Sequence, residues 1–368
     1  MSKKIEKQLK KASKSFLIFL VIFFMFTTAC FAYLWLSEYP SPLHPKEDNN
    51  TGDESLVKNN DGTYSKILSA NSCSTLDVYY LDLKGNDNET KIGDSTYIKC
   101  NNIDIVIDAG IKNVGSTTVV PFLKEKVTDK VIDLVIITHT DNDHIGGFVG
   151  LSNQEGVLSI ENFTYSYIIE SGYNATTEVY QDMMALVNSS NAKVCTGYDS
   201  ITGNKSCAKT FKIGDITLEV LDTGLYNDQT ASANDRSIVA LLTHGEVTYL
   251  FPGDLEDDEE FATKIEHVDI FKASHHGASS ANSSNILNAI SPEVIIISAG
   301  LDGVEKYDIP QQESLDRMYA VTDEIYATFT TGTIKISSDG NDYTINADNL
   351  ELFQNTDWFT QNRTHNAS

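Results

Sequence analysis

Residues 133–148 read DLVIITHTDNDHIGGF. An apolar, β-branched run stops at Thr138 and is followed by His139, Asp141, Asp143 and His144. Such a run suits a buried strand, so the polar quartet stands where that strand leaves the core. Spacings of two, two and one on a tight loop let neutral imidazoles and hard carboxylates converge on a first-row divalent metal. Two carboxylates and two imidazoles directly after a buried strand would otherwise repel one another or lose solvation. Gly146 and Gly147 let the chain turn away closely behind them. A solvated polar loop held by Asx turns is the bland alternative, and the ligand mix favours a metal loop.

Two further strand ends carry the same chemistry. In TYLFPGDLED, Asp254 follows the apolar run 247–252, and Gly253 lets the backbone pass close to a ligand. In VDIFKASHHGASSANS, residues 268–283, a strand leads through Lys272 and Ser274 to His275 and His276. Adjacent histidines usually point in different directions, so at most one of the two need be a direct ligand. Neither passage is decisive alone. Three strand ends offering histidine and aspartate point to one convergent site.

From residue 76 to about 347, short β-rich runs alternate with helical patterns. Strands are expected at 76–83, 94–100, 103–108, 133–138, 216–222, 236–243, 247–252, 268–273, 293–299 and 331–337. Helices are expected at 118–127, 176–188, 256–266, 281–290 and 311–321. Early strands pair as a meander and later ones alternate with helices. That order predicts an α/β (α+β) chain of two mixed sheets packed face to face with helices outside, a four-layered αββα sandwich.

Residues 16–36, FLIFLVIFFMFTTACFAYLWL, carry no charge and at 1.5 Å per residue reach roughly 31 Å, the thickness of a bilayer's hydrocarbon. Six lysines precede them within the basic segment 1–15, and acidic residues follow, which predicts a single-pass cell-membrane anchor with the rest of the chain extracytoplasmic. An uncleaved signal anchor is favoured over a cleaved signal peptide and over a lipoprotein site at Cys30. Residues 37–71, with Pro40, Pro42 and Pro45, read as a flexible stalk, 72–350 as the folded domain, and 351–368 as a polar, frayed tail.

The 368 residues hold 27 basic and 52 acidic side chains, a net charge of −25. Beyond residue 14 the balance is 21 to 51, or −30, which excludes a broadly basic nucleic-acid surface. No C-x-x-C is present. Outside the membrane span lie four cysteines, an even number that suggests disulfides. Strands 76–83 and 94–100 flank a turn-rich stretch, and a hairpin there brings Cys73 and Cys100 to the same open end. Cys195 and Cys207 then close a short loop.

Several motifs, taken in order, resemble the metallo-β-lactamase-fold hydrolases, specifically the soluble hydrolase domain of the ComEC competence proteins and its stand-alone relatives. They are LDVYYLDLKG…GDSTYIK…NIDIVIDAG, with Gly93 and Asp94 as a GD pair after a lengthened turn; His139-x-Asp141-x-Asp143-His144; Asn234-Asp235-x-Ser237; Asp254 in PGDL; and KASHHGASS. The likeness covers most of 76–310. Asp141 stands where many relatives carry a second histidine, and in this branch aspartate is the match. One departure follows the SAG at 298–300: EKYDIPQQE puts Ile309 where the family commonly has a histidine, with Asp308 as the polar group nearest to replace it.

The resemblance implies a metal-dependent hydrolase with two divalent ions, zinc or manganese. His139 and Asp141 would serve one ion, Asp143 and His144 the other, Asp254 both, and His275 or His276 would complete a site. Asp143 would orient the attacking water, with His276 and Lys272 as further catalytic candidates. Lys272 either meets a phosphate oxygen or snorkels at a strand edge. Asp108 would support the metal loop, and Ser274 and Asn234 would support or position, although Asn234 reads equally as a cap. Family context favours a phosphodiester or nucleic-acid substrate. The alternatives are an ester or amide hydrolase of the same fold, or a binding protein that keeps metal and has lost turnover. The membrane is the one partner expected besides substrate, with no protein partner. DNA transport is not expected of one apolar span.

Overall fold

In LDVYY, Leu76, Val78 and Tyr80 are buried while Asp77 and Tyr79 are half-exposed, the two-residue period of a strand with one face turned to a core. IDIVI (Ile103–Ile107) and VIII (Val294–Ile297) are buried at every position, as strands covered on both faces must be. The computed structural model describes residues 55–85 and 91–365. The basic segment, the span at 16–36 and the stalk as far as residue 54 lie outside them. No helix among the described residues is long and apolar enough to cross a membrane.

Seventeen strands occur in the described residues. They are β1 (Leu56–Lys58), β2 (Tyr64–Ser69), β3 (Leu76–Tyr80), β4 (Thr96–Cys100), β5 (Ile103–Ile107), β6 (Val131–Ile137), β7 (Thr164–Glu170), β8 (Lys193–Thr196) and β9 (Ala208–Ile213). There follow β10 (Ile216–Val220), β11 (Ala240–His244), β12 (Val247–Phe251), β13 (Ile270–Lys272), β14 (Val294–Ile297), β15 (Ile325–Ala327), β16 (Ile334–Ser338) and β17 (Tyr343–Asn346). One sheet runs β17-β16-β3-β4-β5-β6-β7-β8 and the other β1-β2-β9-β10-β11-β12-β13-β14-β15. Both are mixed. β5 to β8 run parallel in the first, β12 to β15 in the second, and hairpins supply most of the rest.

Alternation sorts the apolar residues into three layers. Val78, Ile98 and Ile136 of the first sheet meet Phe211, Leu242 and Phe251 of the second in a core between the sheets. Val135 and Ile137 point the other way and pack with Leu123, Phe148 and Met183, which come from helices Val120–Lys126, Asn142–Val149 and Glu178–Ser189. Leu250, Phe271 and Ile295 pack with Leu287 and Leu315 of helices Ser284–Ile290 and Gln312–Tyr319. Each buried Leu, Ile or Phe contributes about 1.5–3 kcal/mol by leaving water. The face-to-face sheets with helices outside match the layering expected from element order.

The structure corrects two boundaries. Within the stretch 37–71, read as a stalk, residues 55–71 include β1 and β2. Here β2 runs parallel to β9, and Leu56 and Leu68 pack on the central core. Beside the short edge strand β1, YSKILS buries little apolar surface of its own and reads as polar until β9 is in place. The tail after 350 is not frayed as far as residue 365. Phe353 and Phe359 are buried, and Trp358 stacks on Phe353 at 5.6 Å. The reading also missed β7, β8, β9, β15 and β17, and the helix expected at 256–266 forms only over Glu259–Ala262.

Both expected disulfides are present, Cys73–Cys100 with Cα atoms 5.5 Å apart and Cys195–Cys207 at 5.9 Å. All four cysteines belong to the core between the sheets. The second bridge joins β8, an edge of one sheet, to the residue just before β9 of the other. Replacing Cys195 and Cys207 together by alanine is expected to cost about 3 kcal/mol of stability from loop closure. A denaturant midpoint that does not move would contradict this.

Candidate metal centre

Parallel strands β5, β6, β12 and β13 end at one rim, where open α/β sheets gather their ligands. Asp108 follows β5, His139 follows β6, Asp254 follows β12, and His275 and His276 follow β13. Beyond His139 the chain forms a helix, Asn142–Val149, rather than a plain loop. Asp141 is its N-cap residue and Asp143 and His144 lie in its first turn. Gly147 permits this close docking, because a Cβ there would lie 1.9 Å from the Ala109 carbonyl oxygen.

Four imidazoles surround one carboxylate oxygen. From Asp254 Oδ2, the Nε2 atoms of His144, His139, His276 and His275 lie at 3.2, 3.6, 3.6 and 3.8 Å. His276 Nε2 is also 3.2 Å from Asp143 Oδ2 and 3.3 Å from His144 Nε2. Each ring is oriented by a contact at its other nitrogen. His144 Nδ1 donates to Asp108 Oδ2 at 2.7 Å, and His276 Nδ1 donates to the Ser298 carbonyl at 2.8 Å. The Thr138 hydroxyl donates to Asp108 at 2.6 Å, so its lone pair can accept from His139 Nδ1 at 3.1 Å. His275 Nδ1 lies 2.9 Å from Glu256. The inward Nε2 atoms are left with lone pairs, the tautomer a metal requires.

The electrostatics make the same demand. His139 Nε2, Asp254 Oδ1 and Asp94 Oδ1 are buried without hydrogen-bond partners, and such orphans are rare without an ion or water to satisfy them. Burial, with His144 beside it, pushes the His139 imidazole down to about 3. Burial opposes charge on His276 too, yet Asp254, Asp94 and Asp143 push it up to about 9. Asp254 lies well below the usual carboxylate range. Burial works against this, and His144, His276 and His139 outweigh it. Without a cation, protons hold these groups together. With imidazole nitrogens and carboxylate oxygens as donors and no thiolate, the set fits a divalent first-row ion.

Of the residues read from the sequence, the structure brings His139, Asp143, His144, Asp254 and His276 together. Asp141 lies exposed on the cleft lining, and His275 is more open than His276. Asp108 supports the loop as expected, accepting from the Thr138 amide at 2.9 Å as well. Ser274 ties two site-bearing turns by donating to the Leu255 carbonyl at 2.7 Å. Lys272 is a correction. It is buried, pairs with Asp94 and donates to the Ala273 carbonyl at 3.3 Å, and it does not line the cleft where a phosphate would sit. Asn234 is not part of the cluster. Its neighbours act instead, with Ser237 Oγ accepting from the Asp254 amide at 3.0 Å and Asp235 from the Asp257 amide at 3.0 Å. Asp308 points to solvent and pairs with Arg363, so it does not replace the absent histidine, while Ile309 is buried on the cleft wall.

Asp94 is the residue missed. Its carboxylate falls with those of Asp254 and the rings of His144 and His276 into one group whose ligand atoms lie within 4.8 Å of one another. Its amide donates to the Asp143 carbonyl at 3.2 Å. Gly93 makes that approach possible, since a Cβ at its φ of +129° would lie 2.3 Å from the same oxygen. The GD pair after the first strand was the available signal. The cluster opens into a cleft of about 820 Å³, lined by Asp141, Asp143, Asp254, His275 and His276 and also by Lys306, Tyr307, Ile309 and Gln311.

The family model described as the metallo-beta-lactamase superfamily matches residues 90–180. ComE operon protein 3 of Bacillus subtilis (strain 168) is 24% identical over 229 residues, 61% of this chain and 26% of that protein. Recombination protein 2 of Haemophilus influenzae (strain ATCC 51907 / DSM 11121 / KW20 / Rd) is 22% identical over 251 residues, 67% of this chain and 27% of that protein. The matched stretch spans about a quarter of each relative. Among solved structures, the metallo-beta-lactamase fold protein YhfI from Bacillus subtilis aligns with a TM-score of 0.44 at 13% identity, covering 72% of this chain and 99% of that one.

Proposed function

We propose, from the premise that this chain carries a metallo-β-lactamase domain resembling part of the ComEC-type proteins, that it is a metal-dependent phosphodiesterase or nuclease. The observation that carries the reading is the ring of four imidazole Nε2 atoms around Asp254 Oδ2, with buried acceptors left unpartnered beside it. His139, Asp143, His144, Asp254 and His276, with Asp94, would hold two divalent ions, zinc or manganese, with Asp141 and His275 at the margin. Bound ions would supply a water acidic enough to attack at neutral pH and positive charge for the oxygen that gains charge.

The chain's own groups do the rest. Asp143, partly open to the cleft, is placed to accept a proton from the attacking water and aim it. Asp108, Thr138 and the Ser298 carbonyl hold the rings so that none turns when substrate arrives. The −30 charge beyond residue 14 disfavours long polyanions at a distance. Short or terminal phosphodiesters therefore fit better than general DNA binding. Membrane anchoring through residues 16–36 with the domain extracytoplasmic remains part of the proposal, and the two disulfides support an oxidising location.

Ile309 favours a second reading, a metal-holding binder with weakened turnover, because an isoleucine on the wall offers no proton to a leaving group. Hydrolysis of a phosphodiester panel by zinc- and manganese-loaded protein, compared with ester and amide panels, tests the choice. Phosphodiester cleavage abolished by a chelator is expected. Cleavage confined to esters or amides, or none with metal bound, would overturn it.

A further inference from the structure

Among the described residues lining the cleft, Lys306 is the one lysine or arginine, in a lining that also holds Asp141, Asp143, Asp254 and Asp302. It stands near the end of helix Leu301–Tyr307, with its Nζ 4.5 Å from the centre of the Tyr307 ring. The wall that carries it is braced from two sides. At the near end the Ile92 amide donates to Asp302, which ties the helix to the turn bearing Asp94. At the far end Arg363 donates from Nε to the Pro310 carbonyl at 2.9 Å and from Nη2 to the Asp308 carbonyl and carboxylate at 3.1 and 2.6 Å. Gln312 and Thr364 exchange two hydrogen bonds, at 2.8 and 3.0 Å. The segment read from sequence as a loose tail is a clamp on the cleft wall.

We propose that Lys306, on this wall clamped by Arg363 and Thr364, forms a subsite for an anionic group of the substrate in the same cleft as the metal cluster. The inference rests on the phosphodiester reading and deepens it by naming how the charged group is held. Attraction from the ions acts at the cleft floor, whereas a lone ammonium at the wall selects for charge beside the reacting bond. Tyr307 and Gln311 flank it with further hydrogen-bonding groups on the same wall. Lys306 is a specificity residue in this scheme and has no part in holding metal.

The test is binding, which needs no turnover. Zinc-loaded full chain is titrated calorimetrically with two thymidine dinucleotides of nearly equal shape, one with a charged phosphorothioate linkage and one with a neutral methylphosphonate linkage. Lys306→Gln is expected to weaken the charged ligand about fivefold and leave the neutral one unchanged, as loss of one charge-assisted contact implies. Lys306→Arg should restore most of the difference. Arg363→Gln, outside the cleft, should weaken the charged ligand with zinc content unchanged. Equal affinity of wild type and Lys306→Gln for the charged ligand would overturn the proposal. So would equal losses for both ligands, or a wild type that binds neither. Absence of hydrolysis of unmodified phosphodiesters by the same metal-loaded protein would instead count against the phosphodiesterase reading alone.

Discussion

Asp254→Ala is expected to strip metal from the purified protein and lower any hydrolysis on the order of 10³-fold, the scale seen when a buried charge aimed at the reaction is removed. The reason lies in the arrangement. Among the described residues Asp254 is the one carboxylate reached by His139, His144, His275 and His276 alike. Without it the carboxylates left within the cluster to balance the rings are Asp143 and Asp94, both placed beside His276. A buried charge left unpaired costs about 3–5 kcal/mol, so the alanine variant is expected to be less stable as well. Asp254→Asn separates the two effects, since it keeps the volume and the hydrogen bond from its amide to Ser237 while losing the charge. Elemental analysis and circular dichroism on both variants check the expectation. A folded Asp254→Asn protein with wild-type metal content would refute the site.

Asp108→Asn should lower metal affinity about 10–100-fold with little loss of fold, although Asp108 is not in the group of converging ligand atoms. Its carboxylate accepts from the Thr138 amide, the Thr138 hydroxyl and His144 Nδ1. An asparagine can accept for the Thr138 amide, but its NH₂ then faces the other two groups. His144 would have to turn Nδ1 into an acceptor, which places its proton on Nε2 and points a donor at the metal position. Competition with a chromogenic chelator measures the change. Affinity equal to wild type would mean that Asp108 braces the loop without setting the ring's tautomer.

The metal loop was legible because two independent patterns meet in it: a β-branched run that must be buried, and four ligand-type side chains placed where burial ends. The same logic located Asp254 and the pair His275 and His276, each after an apolar run, but not which of the two histidines is buried in the cluster. Both disulfides were legible because a hairpin and a short loop are local geometry. Asp94 was not, since GD after a strand is an ordinary turn until β3 and β4 fold that turn onto the His144 helix. Lys272 misled for the complementary reason. A lysine ahead of two histidines reads as a cleft residue, and only the packed sheet shows its ammonium turned to Asp94.

Edges and ends were the least legible. β1, β2 and the 353–365 segment hold few apolar residues, and what apolar surface they have is buried against other elements, β2 beside β9 and Phe353 and Phe359 in the helix-covered core of the second sheet. The assignment of Arg363 to Asp308 and Pro310 follows no local pattern at all.

The sequence by itself determined which strands are buried, which residues could ligate an ion, and how the cysteines pair. These are properties of periodicity, ligand chemistry and short-range chain geometry. The tertiary structure alone decided which histidine nitrogen faces inward, that Asp94 joins the cluster while Lys272 and Asn234 do not, and what else lines the cleft. Those outcomes depend on contacts between segments far apart in the chain, where a shift of a few ångströms exchanges a ligand for a brace.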